Sequence, residues 1–167
     1  ISKSKYFAKK FHCKNSGSYD DILENQSIDA VYISLPIGLQ EKWILKAAKA
    51  GKHVLCEKSS TTSFNSAQKI VNECKKNGIR IMENFPFIFH PQQTKIHQLI
   101  KSNKFGNTFS FSGKFGFNLN YSSNNFRFKK ELGGGILNDV GCYIICASRY
   151  IFQSMPLTIF CNLTYNK

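Results

Sequence analysis

No apolar run approaches the roughly 18 residues of a membrane-spanning helix. The stretch "IDAVYISLPIGL" is cut by Asp29 and Pro36, and "ILNDVGCYIICASRYIF" carries Asn138, Asp139 and Arg149. A spanning segment is excluded and a soluble protein is expected. The six cysteines, Cys13, Cys56, Cys74, Cys142, Cys146 and Cys161, form no C-x-x-C pair and lack the dense spacing of a disulfide scaffold. They read as reduced thiols in a cytoplasmic protein. The histidines, His12, His53, His90 and His97, make no H-x-x-x-H pair, and the Cys142/Cys146 pair has no histidine nearby to complete a zinc set, so no metal site is read. A G-x-G-x-x-G turn is also missing. What remains is a chain of 167 residues, 42% of them apolar, enough to bury a core.

Acidic residues are scarce: 10 stand against 23 basic ones, a formal charge of +13. A basic surface with interleaved aromatics is the footprint of nucleic-acid binding. The best local case is "GKFGFNLNY", which has part of the RNA-recognition aromatic run but no glycine after its lysine. Phe109, Phe111, Phe115, Phe117, Leu119 and Tyr121 share the odd-numbered face of a period-2 pattern, which predicts a strand packed on a core. The lysines are scattered over predicted helices, so specific nucleic-acid binding is not expected, only weak, salt-sensitive attraction.

The first half alternates. "IDAVYIS" (28–34) reads as a buried strand, followed by a helix over 39–50 with Trp43, Ile44, Ala47 and Ala48 on one face and Gly51 closing it. "HVLCE" is a second strand. A helix entered at Ser63 follows, with Phe64, Ala67, Ile70, Val71 and Cys74 along one stripe, and "IRIMEN" is a third strand. This is βαβαβ, hence a parallel sheet with right-handed crossovers, whose ligands bind beyond the carboxyl ends of the strands. Glu57 and Lys58 fall at that edge, with the turns after Ser34 and Asn84 beside them. Two readings stay open: the lysine holds a ligand oxygen in the crevice, or the two charges pair with each other or with helix ends. Likewise Asp139 and Tyr143, spaced i, i+4 on a helix after Gly133–Gly135, are either a site pair or a solvated acid beside a core aromatic.

Three segments carry a family resemblance: "IDAVYISLPIGLQEKWILKAAKAGKHVLCEK", "IRIMENFPFIFHPQ" and "ELGGGILNDVGCY". In this order and spacing the chain resembles the Gfo/Idh/MocA NAD(P)-dependent oxidoreductases from about Ser2 to Phe152. The likeness is greatest to the sugar-nucleotide ketoreductase and dihydrodiol or xylose dehydrogenase branches. The resemblance implies an α/β fold: a partial parallel Rossmann sheet over 1–86, then over 87–167 an incomplete α+β domain with a mostly antiparallel sheet. It implies hydride transfer between NAD(P) and a sugar, sugar-nucleotide or vicinal-diol substrate, and a homo-oligomer formed through the C-terminal sheet.

The resemblance also assigns residues. Lys58, Tyr143 and Asp139 would be catalytic, the lysine polarising the substrate oxygen, the tyrosine moving its proton and Asp139 orienting the sugar or diol, with Arg127 gripping the substrate. Ser34, Leu35, Pro36, Leu39, Glu57, Lys58 and Asn84 would line the cofactor site. The chain departs from the family pattern at Ser59, where the motif has proline, at Ile88 in place of arginine, and at Ile37 and Gln40 in place of asparagine and histidine. Residues 1–11 are similar to the family segment that begins at the end of the second Rossmann strand. The glycine turn is therefore expected upstream, in a longer enzyme of which this is a piece, and the piece alone is expected to be inactive. Ser2 and Lys3 then stand where NAD-specific sites carry a carboxylate for the ribose, a pair suited to a 2′-phosphate, and NADP is the expected cofactor. The competing class is a non-catalytic remnant whose basic surface binds nucleic acid weakly.

Overall fold

The computed structural model of the chain describes residues 2–164 and divides them into two compact units. One runs to Phe85 and takes in Asn118–Asp139; the other comprises Pro86–Phe117 and the chain from Val140 onward.

The first unit opens with helices α1 (Ser2–Lys10) and α2 (Tyr19–Glu24). Ser18 caps α2 with a capping box: its hydroxyl accepts from the Asp21 N–H, and the Asp21 carboxylate accepts from the Ser18 N–H. Then come β1 (Ala30–Ile33), α3 (Ile37–Lys49), β2 (His53–Glu57), α4 (Phe64–Lys76) and β3 (Ile81–Asn84). The strands lie in the order β1-β2-β3 and pair in parallel, Ile33 opposite Cys56 and Glu57 opposite Asn84. The βαβαβ reading is thus present, with β2 on its expected bounds and α3 starting two residues early. Ile44, Ala47 and Ala48 of α3 and Ile70 and Cys74 of α4 recur at helical spacing, and they pack with Ile33, Val54, Cys56 and Ile79 in one buried cluster. The Ser63 hydroxyl caps α4 by accepting from the Ser66 N–H. A Glu41–Lys69 ion pair of 2.8 Å links α3 to α4 on the outside.

In the second unit a short 3₁₀ turn (Pro86–Phe89) leads into α5 (Pro91–Lys101), whose first position is proline and whose N-cap His90 accepts from the Gln92 N–H. Helix α6 (Cys142–Phe152) completes it, with the His97 ring 2.8 Å from the Tyr150 carbonyl. No helix among the described residues is long and apolar enough to cross a membrane.

Ser2 and Lys3 open helix α1. One expectation needs correction. Residues 107–121, expected as a strand packed on a core, form no ladder among the described residues. Phe109 is 95% exposed, and Phe115, Phe117, Leu119 and Tyr121 are exposed as well. Period-2 alternation defines an apolar face, but a strand also needs a backbone ladder, and no described strand pairs with this segment.

The buried cysteines give a pH-dependent expectation. Burial pushes the Cys56 thiol up to about 12, with the Glu83 and Glu57 charges adding to it, and burial also raises Cys74. An unfolded chain loses the Cys56 proton near the ordinary value of 9.0, whereas the folded chain keeps it until about 12. Unfolding therefore releases a proton across that window, and stability falls as pH rises through it. Alkylation followed by mass spectrometry should label the exposed Cys13 and Cys161 at pH 8 while Cys56 and Cys74 stay protected. The urea midpoint should drop between pH 8 and pH 10; an unchanged midpoint would contradict the assignment.

Candidate functional site

Parallel pairing brings the carboxyl ends of the three strands to one edge. Ser34, Leu35 and Pro36 follow β1, Glu57 and Lys58 end β2, and Asn84 ends β3, so the register gathers these predicted residues there. Leu39 lies in the first turn of α3, its N–H bonded to the Pro36 carbonyl.

Glu57 is tied to both neighbouring strands. The Asn84 side-chain amide donates to its Oε1 at 2.9 Å, and the Tyr32 hydroxyl donates to the same oxygen. Burial alone would raise the Glu57 carboxyl, but the Tyr32 and Asn84 bonds, the Lys58 N–H and the Lys58 charge outweigh it and hold the carboxyl below its ordinary range. The same bond raises the Tyr32 hydroxyl, with burial and the Glu57 charge adding to the effect. Glu57 is thus an ionised acceptor fixed at the crevice. Sequence reasoning missed Tyr32. Its signal lay in the register: Tyr32 pairs with Leu55, which puts Glu57 on the same face two residues further along.

The Lys58 ammonium turns to Asp139. It donates to the Asp139 main-chain carbonyl and lies 3.1 Å from Oδ1, and Arg127 Nε lies 2.6 Å from Oδ2. One carboxylate therefore bridges two cations, with side chains 15% exposed for Lys58, 11% for Asp139 and 35% for Arg127. Of the two readings for Glu57 and Lys58, the lysine's ion pair is with Asp139. The Lys58–Ser59 peptide bond is cis.

Local chemistry explains how residues so far apart in sequence meet. A Cβ on Gly134 would sit 2.5 Å from the Arg127 carbonyl oxygen, so only glycine lets this turn close over Arg127. Gly133 adopts φ +76°, and a Cβ there would lie 2.8 Å from the Ile37 side chain at the start of α3. Asn138 Nδ2 donates to the Gly133 carbonyl, and the Asp139 N–H to that of Gly135, which tightens the loop carrying the carboxylate.

The helix expected to carry both Asp139 and Tyr143 is a wide π turn (Leu137–Gly141) followed by α6, so regular i, i+4 spacing does not run through the pair. Tyr143 belongs to the second unit, its ring centroid 5.5 Å from that of Phe115 and 6.1 Å from that of Phe87. Lys3 is exposed on α1. No cluster of metal-ligating side chains occurs among the described residues.

Residues 1–85 match the family described as "Oxidoreductase family, NAD-binding Rossmann fold", and residues 94–167 match the Gfo/Idh/MocA C-terminal domain. The chain is 37% identical over 148 residues to D-xylose 1-dehydrogenase (NADP(+)) 2 of Haloferax volcanii, an alignment covering 89% of this chain and 45% of that protein. It is 35% identical over 158 residues to dTDP-3,4-didehydro-2,6-dideoxy-alpha-D-glucose 3-reductase of Saccharopolyspora spinosa, covering 95% and 47%. Among solved structures, a 3-ketoreductase from Actinomadura kijaniata in complex with NADP and TDP-benzene superimposes with a TM-score of 0.75 at 31% identity, over 90% of this chain and 46% of the other. The chain thus spans under half the length of these relatives. The parallel sheet, the strand-end cluster and the two successive domain matches agree: the chain belongs to the Gfo/Idh/MocA family of oxidoreductases with an NAD-binding Rossmann fold.

Proposed function

We propose that the protein is an NADP-linked oxidoreductase acting on the CH–OH or carbonyl carbon of a sugar or sugar nucleotide, with residues 1–86 serving the cofactor and 87–167 the substrate. The observation that carries this reading is Lys58 at the carboxyl edge of the parallel sheet, paired with Asp139 beside Arg127. An ammonium fixed there is suited to polarise a substrate oxygen. Relatives named for NADP, xylose and dTDP-sugar chemistry support the substrate class.

The residues present fit a dinucleotide. Glu57, kept ionised, is an acceptor for ribose hydroxyls, and Ser34, Leu35, Pro36, Leu39 and Asn84 line the same edge. When bound, the cofactor supplies or takes the hydride. The chain's own residues handle the oxygen: Lys58 stabilises its developing charge, Tyr143 moves its proton, and Asp139 and Arg127 orient the hydroxyls around it. A tyrosine's ordinary pKa near 10 makes it a poor base at neutral pH, and an ammonium brought close to it favours the phenolate. Ser2 and Lys3 at the start of α1 are assigned to the 2′-phosphate. Assembly with a second copy is assigned to the C-terminal sheet that the family resemblance implies.

Activity screening of D-xylose, other aldoses and dTDP-ketosugars with both cofactors, on the longer enzyme expected to carry this chain and its glycine turn, tests the reading. Turnover is expected with at least one substrate class, with NADP(H) preferred over NAD(H) by about tenfold or more, as a charge-assisted bond to the 2′-phosphate would give. Absence of turnover across the panel, or preference for NAD(H), would overturn it.

A further inference from the structure

The turn that carries Lys58 is held by its neighbour. Ser59 Oγ donates to the main-chain carbonyl of Asn138 at 3.2 Å, one residue before the carboxylate that Lys58 grips. The carbonyl of Ser59 accepts from Gln40 Nε2 at 3.4 Å, and the same amide nitrogen donates to the Leu35 carbonyl at 3.1 Å. Gln40 is fully buried in α3, and reversing its amide would set an oxygen against two carbonyl oxygens, so its orientation is fixed by chemistry. Behind Ser59, the Ser60 N–H donates to Glu83 Oε1 at 2.6 Å.

We propose that Ser59 is a positioning residue for Lys58: its hydroxyl locks the Lys58 turn to the Asp139 loop, while its carbonyl locks the same turn to α3 through Gln40. The proposal rests on the catalytic reading of Lys58 given above. Four methylenes separate the lysine ammonium from its backbone, and such a chain reaches one geometry reproducibly only when both its root and its acceptor are fixed. Ser59 fixes both. A proline, the residue of the family motif at this place, has no hydroxyl to do so, and thus the bond to Asn138 belongs to this chain's own sequence.

Reductive methylation of the folded protein, read by mass spectrometry, tests the proposal without reference to activity. The rate at Lys58 is compared with that at Lys69, whose side chain is 63% exposed. Ser59→Ala is expected to raise the Lys58 rate about threefold or more, the loosening that one lost hydrogen bond gives, and Ser59→Thr, which keeps the hydroxyl, to return it to the wild-type value. Gln40→Leu should raise it as well. On an active substrate, Ser59→Ala should lower kcat about tenfold while the KM for the cofactor stays unchanged, a split that a general loss of folding would not produce. Equal Lys58 methylation rates in wild type and Ser59→Ala would overturn the positioning role. Absence of turnover in the wild type would strike the proposed function instead, with the methylation result still judging Ser59.

Discussion

Lys58→Met is expected to lower kcat by on the order of 10²–10³, the loss seen when one preorganised donor to a developing oxyanion is removed. Methionine keeps most of the side-chain length and discards the charge, so the turn after β2 keeps its apolar stem. Asp139 retains Arg127 at 2.6 Å and is not stranded as a lone buried carboxylate, which is why the variant should fold. The cofactor contacts assigned to Glu57 and Asn84 do not pass through the ammonium: Asn84 and Tyr32 hold Glu57 from the two flanking strands. Cofactor affinity should therefore stay within about twofold of wild type while kcat falls, the pattern of an interaction made at the reacting oxygen. Steady-state kinetics together with a fluorescence titration of NADPH separates the two quantities. A kcat within threefold of wild type would remove Lys58 from the chemistry.

How much of this was legible depends on the range of the signal. Strand β2 stands out because Gly51 closes the helix before it, two charges end it, and the apolar run Val54, Leu55 and Cys56 lies between. Helix α4 is announced by its Ser63 cap, and α3 by its apolar stripe. These are local signals, a turn or two in length. The Lys58–Asp139 contact spans 81 positions, and no periodicity encodes a distance of that kind; only the family resemblance placed the two in one site. Tyr32 went unnoticed because a tyrosine in a buried strand looks like core until the parallel register shows what its hydroxyl meets. Helix α2 did carry a legible signature in Ser18 and Asp21, but at six residues its apolar pattern is too short to stand out. The aromatic run 109–121 misled in the opposite direction, since alternation reports which side is apolar and not what covers it.

Asp139→Asn should cost stability as well as activity. Read from sequence and resemblance, Asp139 only orients substrate, and its loss would then show mainly in KM. In the structure the carboxylate holds two cations, with Lys58 on one oxygen and Arg127 on the other. An amide keeps the shape but leaves a lysine and an arginine facing each other with no anion between them. Removing one partner of a buried pair costs several kcal/mol; with Arg127 partly open to solvent, we expect about 2–4 kcal/mol from urea denaturation. Repulsion that water reaches is screened, so added salt should restore part of the loss. The double variant Lys58→Met/Asp139→Asn removes one of the two stranded cations along with the anion, and should be more stable than Asp139→Asn alone. A coupling of about 1 kcal/mol or more in that cycle is expected for charges in direct contact. In kinetics, an unanchored Lys58 no longer meets the substrate oxygen in a single geometry, so kcat should fall along with any rise in KM. A variant as stable as wild type, with no coupling to Lys58 and a change confined to KM, would return Asp139 to the role of a substrate hydroxyl acceptor that neither fixes the lysine nor supports the fold.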